Sequence, residues 1–422
     1  MMIKASALYM VIIIALVIGI ICSSLVAVAY FYKQQSQKKS RFNALENNLG
    51  SGVNILLASA DTAYSGGKTL SLFGGDADSV ILKKTSWGLY TIGVVKSFIQ
   101  KDTVFKVFSI ASSIDSTKWA ALYLADNDRP VSVSGKTVIR GEAFIPKAGI
   151  QTAYVDGKAY DGDKRLVIGG KHSSEKKLPA LAETWLNQLQ QFTSQETKGD
   201  STLVGKDTIR QSFLTQTRYY NFKKKPLLLE NTSISGNVVI YSDTTVTIDS
   251  TAALKNILIY ARAIVVKSGF HGNCQLFAAD SISVGSNCKF IYPSCLGVLR
   301  FKPAVKNIQE KIIIGEKTVI NGVIFTYEKE EKPIPPIISI GKNATVKGQI
   351  YAQGQLELND KSEIDGSAFT STFLYKNAFT RFENYLINTT INSKALSPYY
   401  LTSTLTPVSG KSKKVLQWLE AN

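Results

Sequence analysis

The sequence predicts a mainly β protein, a right-handed parallel β-helix or β-solenoid of about 18 residues per coil, joined to an N-terminal transmembrane helix. Three observations lead there. An uncharged apolar run fills residues 5–32, an aromatic residue recurs at near-constant spacing through the second half, and Gly or Asn returns at a fixed phase beside it. The chain has 422 residues, 45% hydrophobic and 19% charged, so it can bury a core and lacks the composition of a disordered polymer.

The apolar run comes first. As a helix it is about 42 Å long, ample for a hydrocarbon core of about 30 Å. It is too long for the core of a cleaved signal, and Ile21 stands where a lipoprotein signal needs a small residue before Cys22. Tyr30, Phe31 and Tyr32 form an interfacial aromatic cluster, followed by Lys33, Lys38, Lys39 and Arg41. These basic residues favour a cytoplasmic head. The very short N-terminal tail and the helix that continues past the run favour a head outside, in the periplasm or at the cell surface, with the anchor in the inner membrane.

That continuation is read from Phe42, Leu45, Leu49, Val53 and Leu56, spaced 3, 4, 4, 3, which draws one apolar stripe. Gly50 and Gly52 weaken it, each by about 1 kcal/mol relative to Ala. In architecture, residues 1–60 resemble type IV minor pilins and type II secretion pseudopilins, although the leader glycine and the early acidic residue of those families have no counterpart before Glu46. The resemblance implies a stem packed on a globular head, associating with its own copies or with other filament or envelope subunits.

Residues 61–130 read as a small strand-rich region packed on the stem, with strands near 80–82, 89–95 and 104–110. Residues 131–375 hold the repeats. GNVVIYS around Tyr241, KNILIYA around Tyr260 and GNCQLFA around Phe277 share Asn, three residues, an aromatic and a small residue, at spacings of 19 and 17. A sister form, Gly, two residues, aromatic, small, places Phe325, Tyr351 and Phe369 after Gly322, Gly348 and Gly366. KTVIRGEAF, ending at Phe144, repeats KTVINGVIF, ending at Phe325. Such a period accommodates three short strands and three turns, and each coil buries its inward residues only by stacking on the next. Tyr241, Tyr260, Phe277, Phe325, Tyr351 and Phe369 are expected as a ladder in the solenoid core. Asn237, Asn256, Asn273, Gly322, Gly348 and Gly366 are expected at coil corners, where φ above zero is needed.

The period and glycine phasing over residues 235–374 are similar to those of bactofilins, bacterial β-helix scaffold proteins. That likeness implies end-to-end stacking into a scaffold without nucleotide. Against it, an insertion at 147–225 carries an amphipathic helix near 178–194, and residues 376–422 form a closing segment with a short helix near 414–419. In the insertion Leu178, Leu181, Trp185, Leu189 and Phe192 again fall 3, 4, 4, 3, with Pro179 near the first turn. Both elements are expected to cover the stack, and covered ends oppose polymerisation.

Lys and Arg number 49 against 32 acidic residues, a net charge of +17, which suits a membrane surface or an anionic surface polymer. The basic residues are dispersed without interleaved aromatics, so no specific nucleic-acid partner is expected. Cys22, Cys274, Cys288 and Cys295 make no CxxC pair, and with His172 and His271 they assemble no metal-ligand spacing. No cofactor motif is found. Many extracellular β-helices cleave polysaccharides with paired carboxylates, which makes Asp243, Asp249 and Asp280 the candidates here. Asp at such positions more commonly bonds local amides in a turn. His271 falls at a turn as well, and the three sequons at Asn231, Asn343 and Asn388 occur at chance level. The expectation is a structural or assembly protein of the envelope and not an enzyme. A cytoplasm-facing scaffold, and a carbohydrate-active enzyme or adhesin, are the alternatives.

Overall fold

A computed structural model describes residues 4–60, 63–72, 78–194, 208–302 and 308–421. The chain divides into two units, one of residues 1–84, 93–107 and 420–422, the other of residues 85–92 and 108–419.

The first unit is built on helix α1 (Lys4–Ala58). Its apolar side chains from Leu8 to Tyr32 are exposed, Val26 at 70% and Tyr32 at 73%. Among the described residues it is the one helix long and apolar enough to cross a membrane. Further along, Leu45, Leu49, Val53 and Leu56 are buried, while Phe42, expected on the same stripe, is exposed. The helix rests on strands at Gly52, where a Cβ would fall 2.6 Å from Val95 Cγ1 and 3.0 Å from methyls of Leu82 and Val80. Gly52 is therefore the point of closest approach, whereas Gly50 meets open space. The buried ammonium of Lys84 donates to Ser59 O (2.9 Å) and Ala60 O (3.1 Å), which satisfies carbonyls at the negative end of the helix dipole. Arg41–Asp102 (3.1 Å) and Lys106–Glu46 (3.0 Å) tie its flank to the strands.

A five-stranded sheet runs Lys68–Leu70, Asp78–Trp87, Tyr90–Ile99, Asp102–Ile114, Ser409–Ala421 in neighbour order. The last strand replaces the short helix expected near 414–419. A six-residue run is too short to hold a helix by itself, and Val415 and Trp418 suit a strand beside an available sheet edge.

In the second unit most strands are parallel, each paired with the equivalent strand of the next repeat. The first ladder joins residues 233–235, 253–255, 271–273, 289–290, 319–321, 345–347 and 363–365. The second joins 239–242, 258–261, 275–278, 295–298, 323–326, 349–352 and 367–370. The third joins 227–229, 246–248, 264–266, 282–284, 312–314, 338–340 and 356–358. Alternate residues of all three ladders, such as Ile234, Leu254, Ile240, Ile259, Val246 and Ile264, form one buried aliphatic cluster.

Three expectations change here. The repeat near 131–146, expected to begin the stack, lies beyond its C-terminal repeats. Leu122–Leu124 pairs with residues 368–370, and Val138–Arg140 pairs with Thr390–Asn392. Parts of the expected insertion are ladder strands, since Thr208–Gln211, Arg218–Asn221 and Lys171–Ser173 all pair in parallel. Part of the expected closing segment joins as well, through Tyr385–Ile387 and Thr390–Asn392.

The contact at Gly52 gives a direct test. Gly52→Val should lower stability by about 1–3 kcal/mol through overpacking. Gly50→Ala should raise it by up to about 1 kcal/mol. Thermal unfolding of the detergent-solubilised chain, followed by circular dichroism, reads both.

Candidate functional site

The six predicted aromatics share one column of the second ladder. Tyr241, Tyr260, Phe277, Gly297, Phe325, Tyr351 and Phe369 are successive Cα partners, and Tyr123, Phe144 and His172 extend the column. Ring centroids lie 5.3 Å apart for Tyr241–Tyr260, 4.9 Å for Tyr260–Phe277 and 5.3 Å for Tyr123–Phe369. At Gly297 the column changes geometry. Phe277 and Phe325 meet edge-on at 6.4 Å across it, and a Cβ there would come within 2.5 Å of the Phe325 ring.

The column stands on the side opposite the one expected. The inward cluster takes Ile240, Ile259, Leu276, Ile324 and Ile350, one residue before each aromatic. The rings therefore project from the outer face, and they are buried because other segments lie over them. Helix α2 (Glu183–Ser194) buries Trp185, Leu186 and Leu189, and Phe192 stacks on Tyr260 at 6.1 Å. It begins later than expected, so Leu178, Pro179 and Leu181 precede it. The Tyr351 hydroxyl donates to Pro179 O (3.1 Å). Gln275, on the same face, accepts from Leu89 N (2.7 Å) and donates to Trp87 O (3.2 Å). Tyr123 escaped the repeat search because Trp119 and Ala120 stand where Asn or Gly marks the other repeats, whereas Gly169 does precede His172 at the expected interval and only the imidazole in place of Phe or Tyr hid it.

The predicted corners separate into two kinds. Gly322, Gly348 and Gly366 are Cα partners with φ of 146°, 144° and 148°, and a Cβ at each would fall 2.0 Å or less from the carbonyl oxygen of the preceding repeat. Of the asparagines only Asn256 has positive φ, 55°. Asn237 and Asn273 instead donate from their side chains to Thr215 O (3.0 Å) and Tyr292 O (3.2 Å). A second positive-φ corner went unread. It lies between the third and first ladders at Asn231, Asn287, Lys317, Asn343, Lys361 and Asn388, with φ between 49° and 57°. Its signal is the small buried residue that follows, Cys288, Thr318, Ala344, Ser362 or Thr389. The three sequons are instances of this corner.

The acidic candidates occupy separate settings. Asp243 is exposed, its amide bonded to Lys223 O. Asp249 accepts from Thr251 N (3.1 Å) and Lys267 (2.8 Å), and those bonds hold its carboxyl well below the usual range. Asp280 sits between Arg262 Nε (2.8 Å) and Arg300 Nη2 (2.7 Å). His271 stands exposed opposite Lys289 on the first ladder. Cys274, Cys288 and Cys295 are buried free thiols, and burial pushes all three up.

Asp280 leads to a cluster not anticipated from sequence. Arg300 also pairs with Glu310, which is 1% exposed, and Lys332 Nζ lies 2.6 Å from Glu310 and 3.1 Å from Glu328, 4% exposed. Burial and the neighbouring Glu310 raise Glu328 to about 7, while hydrogen bonds and Arg300 hold Glu310 low. The pair can hold a proton, but neither carboxylate reaches the surface to meet a substrate.

The column yields a test of its own. The Tyr260 hydroxyl is buried without a hydrogen-bond partner, so Tyr260→Phe should be neutral or stabilising by up to about 1 kcal/mol. Gly297→Ala should cost about 1–3 kcal/mol. Denaturant unfolding compares the two.

Compared with protein-family models, curated proteins and solved structures, the chain finds no match.

Proposed function

We propose that this chain is a membrane-anchored structural or assembly protein of the cell envelope. Its head is a right-handed β-solenoid, and it acts by packing and association. The observation that carries the reading is the exposed apolar half of α1. The far half of the helix buries Leu45, Leu49, Val53 and Leu56, whereas no residue of its apolar window is buried. Such a surface is stable only against lipid or other membrane helices.

The solenoid reading is supported by three ladders that step from repeat to repeat in one direction and share one aliphatic interior. At one end of the stack Ile150, Tyr160 and Leu166 pack, half-buried, against that interior. The strands there, Ile150–Thr152 and Lys171–Ser173, are largely exposed and each pairs on one side among the described residues, an open edge that suits the end-to-end association implied by the bactofilin likeness. The basic residues Lys33, Lys38 and Lys39 favour a second reading, a scaffold that faces the cytoplasm.

Two experiments test these statements. An alkaline phosphatase fused after Asn422 is expected to be active, placing the head outside the cytoplasm. Activity only from a cytoplasm-dependent reporter would transfer the assignment to the scaffold. For the solenoid, deleting residues 253–270 removes one whole repeat and sets Ser233 against His271. That variant should stay folded with a modest loss of stability. Deleting residues 253–261 alone sends inward side chains to the wrong ladder and should abolish cooperative unfolding.

A further inference from the structure

The buried carboxylates lie where the second ladder turns into the third, beside the loop 329–336. Arg300 and Glu328 end the strands Lys289–Arg300 and Val319–Glu328, and Glu310 precedes Lys311–Ile314. Lys332 comes from the loop 329–336. The backbone is drawn in at the same place. Ile337 N donates to Glu310 O (2.9 Å), Gln309 Nε2 donates to Pro335 O (2.9 Å), and Lys329 N donates to Arg300 O (3.0 Å). From the next repeat, Gln353 accepts from Glu328 N (2.6 Å) and donates to Glu328 O (3.0 Å). Among the described residues, the charged groups facing the two carboxylates are Arg300 and Lys332, with Asp280 and Arg262 one contact further out. Lys332 is the one of these cations carried by the loop.

We propose that Glu310 and Glu328 share one proton, and that this shared proton is a latch that fastens loop 329–336 to the stack in acidic conditions and loosens as pH rises to neutral. With the proton present, Glu328 donates to the Glu310 carboxylate, which also receives Arg300 and Lys332. Without it, two anions stand side by side out of water, and every conformation that exposes them gains in relative population. Glu328 is the group whose affinity for a proton is raised by folding, so the latch is tight at low pH. Its stabilisation is lost as pH rises from the ordinary glutamate range to about 7, and is level above that. Glu310 has the opposite sign and weakens the site only where it is itself protonated, below that window.

Hydrogen exchange of the full chain in detergent, corrected for intrinsic rates, measures opening of residues 329–336. Linkage predicts that wild-type opening rises about tenfold between pH 6 and pH 8. Glu328→Gln should remain closed at both pH values, whereas Glu310→Gln, which strips the two cations of their shared acceptor, should open at both. Carboxyl carbon NMR of glutamate-labelled wild type supplies a reading that needs no variant, with one glutamate titrating near neutral pH. A wild-type loop whose opening is independent of pH would overturn the latch. So would a Glu328→Gln protein that keeps the tenfold rise, or a spectrum in which every glutamate titrates in the ordinary range.

Discussion

A single repeat of this chain has too few apolar residues to bury, so strand register between repeats governs the rest of the second unit. Parallel pairing one repeat apart places Ile240 over Ile259 and Val246 over Ile264, and a slip of one residue would turn each of these side chains outward. The backbone must then reverse direction within one or two residues at each corner. Gly322, Gly348 and Gly366 make one of these reversals, and their approach to the carbonyl of the preceding repeat leaves no space for a side chain. At the other phased corner, Asn and Lys accept positive φ because the small residue behind them fits inside the turn. Aliphatic pairing and corner geometry therefore reinforce each other, repeat by repeat.

On that frame a second buried layer is laid over one face. The aromatic column would be an exposed apolar stripe were it not covered by α2 and by the segments around Trp87 and Leu401. Tyr292 donates to Leu401 O (2.6 Å), and Thr402 donates to Gln349 (2.7 Å). The connection from residue 173 to residue 208 explains why the cover exists. Lys171–Ser173 belongs to the far end of the stack and Thr208–Gln211 to the near end, and the chain at residues 174–194 runs along it from the far end. On the way it meets Tyr123, then Tyr351, then Tyr260, through Glu175, Pro179 and Phe192.

The phase of the aromatics was legible because Asn or Gly precedes each at a constant interval. Their side of the sheet was not. Stretches such as VVIY are apolar at every position, and a strand buried on both faces shows no alternation to read. The stacking order was also hidden, because Leu122–Leu124 offers only three residues and one of its two neighbours along the ladder, residues 368–370, is far away in the chain. The carboxylate pair was hidden for a different reason. In EKEEK the residues look like a solvated charge run, and nothing local indicates that Glu328 faces Glu310 across a loop. On the stem, the 3, 4, 4, 3 spacing marked the buried face correctly from Leu45 onward. The role of Gly52 depends on Val95, more than forty residues away, and only the folded unit reveals it.

The central physical claim is the one-repeat step of the ladders, and a distance measured along one of them tests it most directly. Spin labels at Thr247 and Ser339, with Cys22→Ser to remove the exposed thiol, sit on the outer face of the third ladder four steps apart. At a strand spacing of about 4.8 Å, the account predicts a narrow pulsed-resonance distribution centred near about 19 Å, apart from the label linkers. A broad distribution, or a mean beyond about 30 Å, would mean that the repeats do not stack in this register.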